Sequence, residues 1–192
     1  MTHVATLRAV EPDDADVLAR IAAGELSSLG VLFDRYAIDV RRFIARLGIG
    51  PGDVDDLTQA TFLLVAQAAS SFRGSASGRA WLFGLAANVV RRHRRSLARV
   101  AARIAAWATE LRADSPATPE STSDVGERAA LAARALTRLP AKKREVFVMV
   151  VMEDLTAEEV ATTLGIPIGT VWTRLHHARR ALRAHLEEKG AT

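Results

Sequence analysis

The chain has 192 residues, a net charge of +4, no cysteine and 49% hydrophobic residues. That length suits one large domain or two small ones, and the lack of cysteine excludes a disulfide framework, a thiol nucleophile and a cysteine–zinc site. No apolar run is long enough to cross a bilayer, and Met1-Thr2-His3 leads into Glu11-Pro12-Asp13-Asp14 rather than a signal peptide, so a cytoplasmic protein without a membrane partner is expected.

Aromatic residues are few and alanine is abundant, which favours helices over sheets. Residues before about 25 carry no pattern that gives them a role. Pro51-Gly52-Asp53 reads as a turn, with Asp53 placed to cap the helix that follows. Across 53–69, Val54, Leu57, Thr61, Leu64, Val65 and Ala68 fall on one helical face, and Asp56, Gln59, Leu63 and Ala66 lie roughly opposite. A short loop, Arg73-Gly74-Ser75-Ala76-Ser77-Gly78, precedes a long helix from about Arg79 to Ala106. Trp81, Leu85 and Val89, at four-residue steps, predict its buried stripe.

From Ala108 to Gly126 the periodicity fails. Ala113 to Asp124 is acidic, proline-bearing and almost without apolar residues, a composition that cannot bury enough surface to order itself. It reads as a flexible linker, which would leave the domains on either side free to move independently. Helices resume near Val125, Pro140 suits a first helical turn, and Val146 to Met152 is strongly apolar. The fold class expected is all-α: two small helical domains joined by the linker.

The C-terminal domain contains a helix-turn-helix. Thr156-Ala-Glu-Glu159 has the form of a capping box. Gly165 ends that helix and Pro167 prevents its continuation. In the next helix, from about Gly169, Val171, Leu175, Ala178 and Leu182 form the core stripe, leaving Trp172, Thr173, His176, His177, Arg179 and Arg180 outward or flanking. A helical hairpin with solvated histidines is the plainer alternative; the acid-free outer face and the capped turn favour DNA.

Charge is segregated. Arg73 to Arg103 holds eight arginines without an acid, and Ile168 to His185 holds four more, again without an acid. Two such segments suggest a polyanion partner. The five histidines form no HExxH motif, and no Gly-rich phosphate loop or Ser-His-Asp signature appears. An enzyme is therefore not expected, and neither are catalytic residues, a metal site or a cofactor.

Leu139-Pro140-x-x-x-Arg144-Glu145-Val146-Phe147, Glu153-Asp154-Leu155-Thr156-x-Glu158-Glu159-Val160-Ala161 and Leu164-Gly165-Ile166-Pro167-x-Gly169-Thr170-Val171 resemble region 4 of bacterial sigma factors of the extracytoplasmic-function (ECF) group. Leu32-Phe33-Asp34-Arg35-Tyr36 and Asp56-Leu57-x-Gln59-x-Thr61-Phe62 resemble regions 2.1 and 2.2. Phe72-Arg73-Gly74, followed by Trp81-Leu82-Phe83-x-x-Ala86-x-Asn88, resembles regions 2.3 and 2.4. The likeness covers about residues 25–186, in family order.

The resemblance implies region 2 over 25–106, a linker over 107–126 and region 4 over 127–187. It implies a factor that binds core RNA polymerase and directs promoter-specific initiation. Trp172, Thr173, Arg174, His176, His177, Arg179 and Arg180 would then meet the −35 element. Trp172 stands where lysine or arginine is common, and His177 where arginine is frequent. Phe72, Arg73, Gly74, Ser75 and Asn88 would meet the −10 element, with Arg91, Arg92, Arg94 and Arg95 on nearby phosphates. Asp56, Gln59, Phe62 and Leu63 would grip the clamp helices of the largest polymerase subunit, with Ala60 where glutamate is usual. The flap of the second-largest subunit and an anti-sigma factor are the further partners implied. The alternative is a stand-alone helix-turn-helix regulator, which needs a sensing or dimerising domain that 25–106 does not resemble.

Overall fold

The computed structural model describes residues 12–108 and 127–190, with side chains over 12–103 and 133–185. The described elements are helical: α1 Asp14–Ala22, α2 Ser28–Arg46, α3 Pro51–Ala68, α4 Gly78–Ala108, α5 Glu127–Arg138, α6 Ala141–Phe147, α7 Ala157–Leu164 and α8 Ile168–Gly190. A 3-10 turn, Ala69–Ser71, follows α3, and a π-helical turn, Val148–Met152, follows α6. Of the linker expected over 107–126, Trp107 and Ala108 end α4, and the rest lies outside the described residues.

α1 gives the segment before residue 25 a role. Asp13 caps it, accepting from the Asp16 backbone N–H at 2.7 Å, and Val17, Leu18 and Ile21 are buried. Asp14 ties it to the bundle, ion-paired with Arg35 and accepting from the Tyr36 hydroxyl at 2.6 Å. Burial and the Asp14 carboxylate push the Tyr36 hydroxyl up to about 12. Asp14 also occupies the space a Cβ on Gly78 would need, so the start of α4 can approach α1 only as glycine. The signal in the sequence was the Asp13 cap followed by apolar residues at 17, 18 and 21.

α3 starts two residues before the expected cap. Gly50 is the N-cap and Pro51 the first helical residue, where its missing N–H and fixed φ suit the helix. Asp53 lies within the first turn, favourable to the helix dipole.

α4 differs from its expected stripe. Trp81 and Val89 are only half-buried, while Ala80, Leu82, Phe83, Leu85, Ala86, Ala87 and Val90 are buried. A helix apolar all round needs cover on more than one side. One side packs on α2 and α3, with Phe43 and Phe83 stacked at 4.7 Å. α7 packs on another. A Cβ at Gly84 would lie 2.5 Å from Thr163 Cγ2, so the Thr163 side chain fills the space that Gly84 leaves between the two helices.

The helices before and after the linker therefore share one continuous apolar core, running from Val17 in α1 to Leu175 in α8. A smaller cluster, Leu136, Leu139 and Ala178, joins α5 to α8. Composition predicted two bundles moving independently; in this structure they are packed on each other.

Candidate nucleic-acid and polymerase interfaces

The helix-turn-helix is held by the caps the sequence predicted. Thr156 Oγ1 accepts from the Glu159 N–H at 3.1 Å, and the Thr156 N–H donates back to Glu159 Oε2 at 3.0 Å. Gly165 is left-handed (φ 62°), and the Ile166 N–H returns to the Ala161 carbonyl at 3.0 Å, a Schellman closure. Val171, Leu175 and Ala178 are buried and Leu182 is half-buried, as the periodicity predicted.

That arrangement turns one face of α8 to solvent. Trp172 is 52% exposed, and Thr173, His176, His177, Arg179 and Arg180 are exposed beside it. The His176 and His177 rings meet edge to face at 5.6 Å. Thr173 Oγ1 donates to the Gly169 carbonyl at 2.8 Å. Arg174 is half-buried and its charge lies near Glu145, so it faces inward more than its neighbours.

Arg144, in the first region 4 motif, is a structural centre. Its guanidinium donates to the carbonyls of Leu136 (2.6 Å), Leu139 (2.9 Å), Thr137 and, in α2's terminal turn, Leu47 (2.6 Å). One fork thus satisfies the end of α5 and joins it to the N-terminal helices. Burial and the neighbouring Arg94 push its pKa down to about 10.

The loop before α4 places Arg73, Gly74 and Ser75 in solvent. Gly74 has a positive φ of 69°. Phe72 is half-buried against Trp81, edge on at 5.8 Å. Asn88 is exposed, and its amide oxygen accepts from Arg91. Arg92 and Arg95 are exposed and form no ion pair among the described residues. Arg91 is paired with Glu145. Arg94 is half-buried and donates to the Leu47 carbonyl, so it holds backbone and does not present its charge as expected.

On α3, Asp56, Gln59 and Leu63 are exposed, Leu63 at 67%. Phe62 is buried at 4%, which corrects its place in the expected docking face. Its position next to Leu63 in sequence puts it a hundred degrees round the helix, on the core side. Adjoining this face, α3 and α4 enclose an open groove of about 560 Å³ lined by Leu57, Leu63, Leu64, Val89, Arg92 and Arg99 among others.

The comparisons with known proteins follow the same division. Residues 32–100 match the model of sigma-70 region 2, and 130–182 that of sigma-70 region 4. The ECF RNA polymerase sigma factor SigL of Mycobacterium tuberculosis is 36% identical over 176 residues, covering 89% of this chain and 96% of its own. This chain belongs to the ECF RNA polymerase sigma factors. The ECF RNA polymerase sigma-E factor of Salmonella typhimurium is 26% identical, over 88% of this chain and 92% of its own. Among solved structures, CnrH in complex with the cytosolic domain of CnrY superimposes with a TM-score of 0.63 at 26% identity, covering 91% of this chain and 97% of that one. The sigma factor RpoE of Bartonella quintana, in complex with the anti-sigma factor NepR, has the same fold (TM-score 0.58, 22% identity, 88% and 98% covered).

As an ECF sigma factor the chain is a non-catalytic subunit that directs transcription initiation with RNA polymerase, and it binds DNA through the helix-turn-helix of region 4. No described helix is long and apolar enough to cross a membrane.

Proposed function

We propose that α8 reads the −35 element, that the loop 72–77 with the exposed side of α4 holds the −10 element, and that the outer face of α3 docks on the clamp helices of the largest polymerase subunit. The carrying observation is the outer face of α8 over 168–185: exposed, acid-free, and supported from beneath by a buried stripe. Trp172, Thr173, His176 and His177 are assigned to bases, and Arg179 and Arg180 to phosphates. Arg174, half-buried beside Glu145, contributes charge from the flank.

At the −10 element a flipped base needs a pocket bordered by backbone and amide groups. Phe72, Arg73, Gly74, Ser75 and Asn88 supply it in this reading, with Arg91, Arg92 and Arg95 on the adjoining phosphates. Asp56, Gln59 and Leu63 form the polymerase dock, and region 4 meets the flap of the second-largest subunit. The chain acts in the cytoplasm and is regulated by an anti-sigma factor, a partner class that the RpoE neighbour carries in its own complex.

Run-off transcription across a promoter library, with and without core polymerase, tests this reading. Start sites that share −35 and −10 sequences, with duplex binding that needs core polymerase, are the expected result. Tight, specific duplex binding by the chain alone would instead indicate a stand-alone regulator.

A further inference from the structure

The outer face of α8 changes character along its length. Its start is apolar: Ile168 is 40% exposed and Trp172 52%, and Pro167 is exposed just before them. Ile168 and Trp172 are four residues apart, so they stand one above the other on the same side. Imidazoles follow at His176 and His177, then arginines at Arg179, Arg180 and Arg183. The first residues of a recognition helix are those that reach base edges in the major groove. Here those residues are apolar.

The packing of the chain does not account for this apolar start. Val171, Leu175 and Ala178 already fill the core side of α8. Among the described residues, the Trp172 ring meets no other aromatic ring and its indole N–H has no partner. Gly169, between Ile168 and Trp172, has nothing within 4 Å of where a Cβ would stand. No neighbour within the chain requires glycine there, and its bare backbone admits a close approach from outside.

The chemistry of the two side chains limits what they can read. Isoleucine has no donor or acceptor, and the indole has one donor only. Neither satisfies both acceptors of guanine or the amino group of cytosine, and covering such groups without a partner is costly. The thymine C5-methyl is the apolar group that base edges present in the major groove. Ile168 and Trp172 are separated by about 6 Å of helix rise, close to two base steps of about 3.4 Å. They can therefore meet methyls on neighbouring base pairs.

We infer that Ile168 and Trp172 read thymine through its methyl group, so that the −35 element of this sigma factor carries thymine, on either strand, at one or two neighbouring positions facing the start of α8. This rests on the assignment of α8 to the −35 element proposed above, and it adds Ile168 to the residues that touch bases. An arginine at position 172 would instead select guanine by a bidentate hydrogen bond. Tryptophan replaces that contact with an apolar one.

The test uses holoenzyme and the most tightly bound duplex from a −35 library. Each thymine of the −35 element is replaced in turn by uracil, which lacks only the methyl, so the first measurement depends on no protein variant. One or two neighbouring replacements should weaken binding roughly fourfold each, the worth of one buried methyl. Trp172→Ala and Ile168→Ala should each abolish one of these losses, and Trp172→Phe should keep it. Trp172→Arg, put through the same library, should exchange thymine for guanine at the position where Trp172→Ala abolished the loss. An element without thymine, or no effect of uracil at any position, would overturn the inference; so would losses that persist in both alanine variants, or thymine retained by Trp172→Arg. The α8 assignment would survive any of these results if His177→Ala still altered base preference. If none of the α8 variants alters base preference, the assignment itself fails, and methyl reading fails with it.

Discussion

Phe62 stands edge on to Phe33, ring centroids 4.9 Å apart, with Phe62 buried and Phe33 44% exposed. The pair closes the α2–α3 contact beneath the proposed polymerase dock. The next residue, Leu63, points outward. Phe62→Ala should therefore cost about 3–5 kcal/mol of stability, whereas Gln59→Ala with Leu63→Ala should change stability by no more than about 0.5 kcal/mol per site. The double variant should still weaken binding to core polymerase. Urea denaturation and a core-binding titration separate the two effects; unchanged core affinity would return the α3 face to ordinary solvated surface.

The caps of α7 set the angle at which α8 is presented. Removing the Thr156 hydroxyl leaves the Glu159 N–H without its partner, so Thr156→Ala should cost about 1 kcal/mol. Gly165→Ala forces a Cβ into the left-handed region at about 1–2 kcal/mol. Glu159→Gln should keep the capping box, because glutamine fills the same role. Melting curves of the three variants check this order, and a loss in Glu159→Gln as large as in Thr156→Ala would contradict it.

On α8, residues near the start of the outer face and those further along should behave differently. His177→Ala should change which −35 bases are preferred, by about 1–3 kcal/mol per altered contact. Arg180→Ala should weaken binding about equally on all sequences and lower the salt slope by roughly one phosphate's share. Holoenzyme binding to a −35 library at several salt concentrations reads both. A uniform loss in His177→Ala would remove that residue from base reading.

The packing of region 4 on region 2 should respond to pH in a direction opposite to simple acid opening. Burial holds the carboxyls of Glu145 and Glu153 above the usual glutamate range, despite the arginines beside them. If they return to ordinary values when the chain opens, closing takes up protons. Closure is then favoured as pH falls from neutral toward the ordinary glutamate range, and is weakened as pH rises through the raised values. Glu159 is held below its ordinary value, chiefly by the Ser77 hydroxyl, so it works the other way, but only at pH values below that range. In Gly84→Ala, where the added methyl meets Thr163 and weakens the contact between the two regions, the radius of gyration from small-angle scattering should fall on going from neutral pH to about pH 5. A rise over that interval would show that the ion pairs outweigh their burial.

The sequence by itself determined most features that depend on neighbours in the chain, although the Gly50 start of α3 and the Asp13 cap of α1 were local signals that its reading missed. Helical periodicity located α3, α4 and α8. The Thr156 and Gly165 caps follow from side-chain and backbone chemistry within a few residues, and the structure realises both. The buried stripe of α8 and its exposed face were legible because one turn of helix repeats on a fixed angle. Tertiary structure decided the rest. Phe62 is core because α2 brings Phe33 against it. Trp81 and Val89 lose their central place on α4 because α7 covers a second side. The arginines of the acid-free run looked like unshared charge; the carboxylates that meet Arg79 and Arg91 come from Glu153 and Glu145, 74 and 54 residues away. Composition in a window cannot register a partner that distant, since only the folded chain brings the two charges within hydrogen-bonding reach.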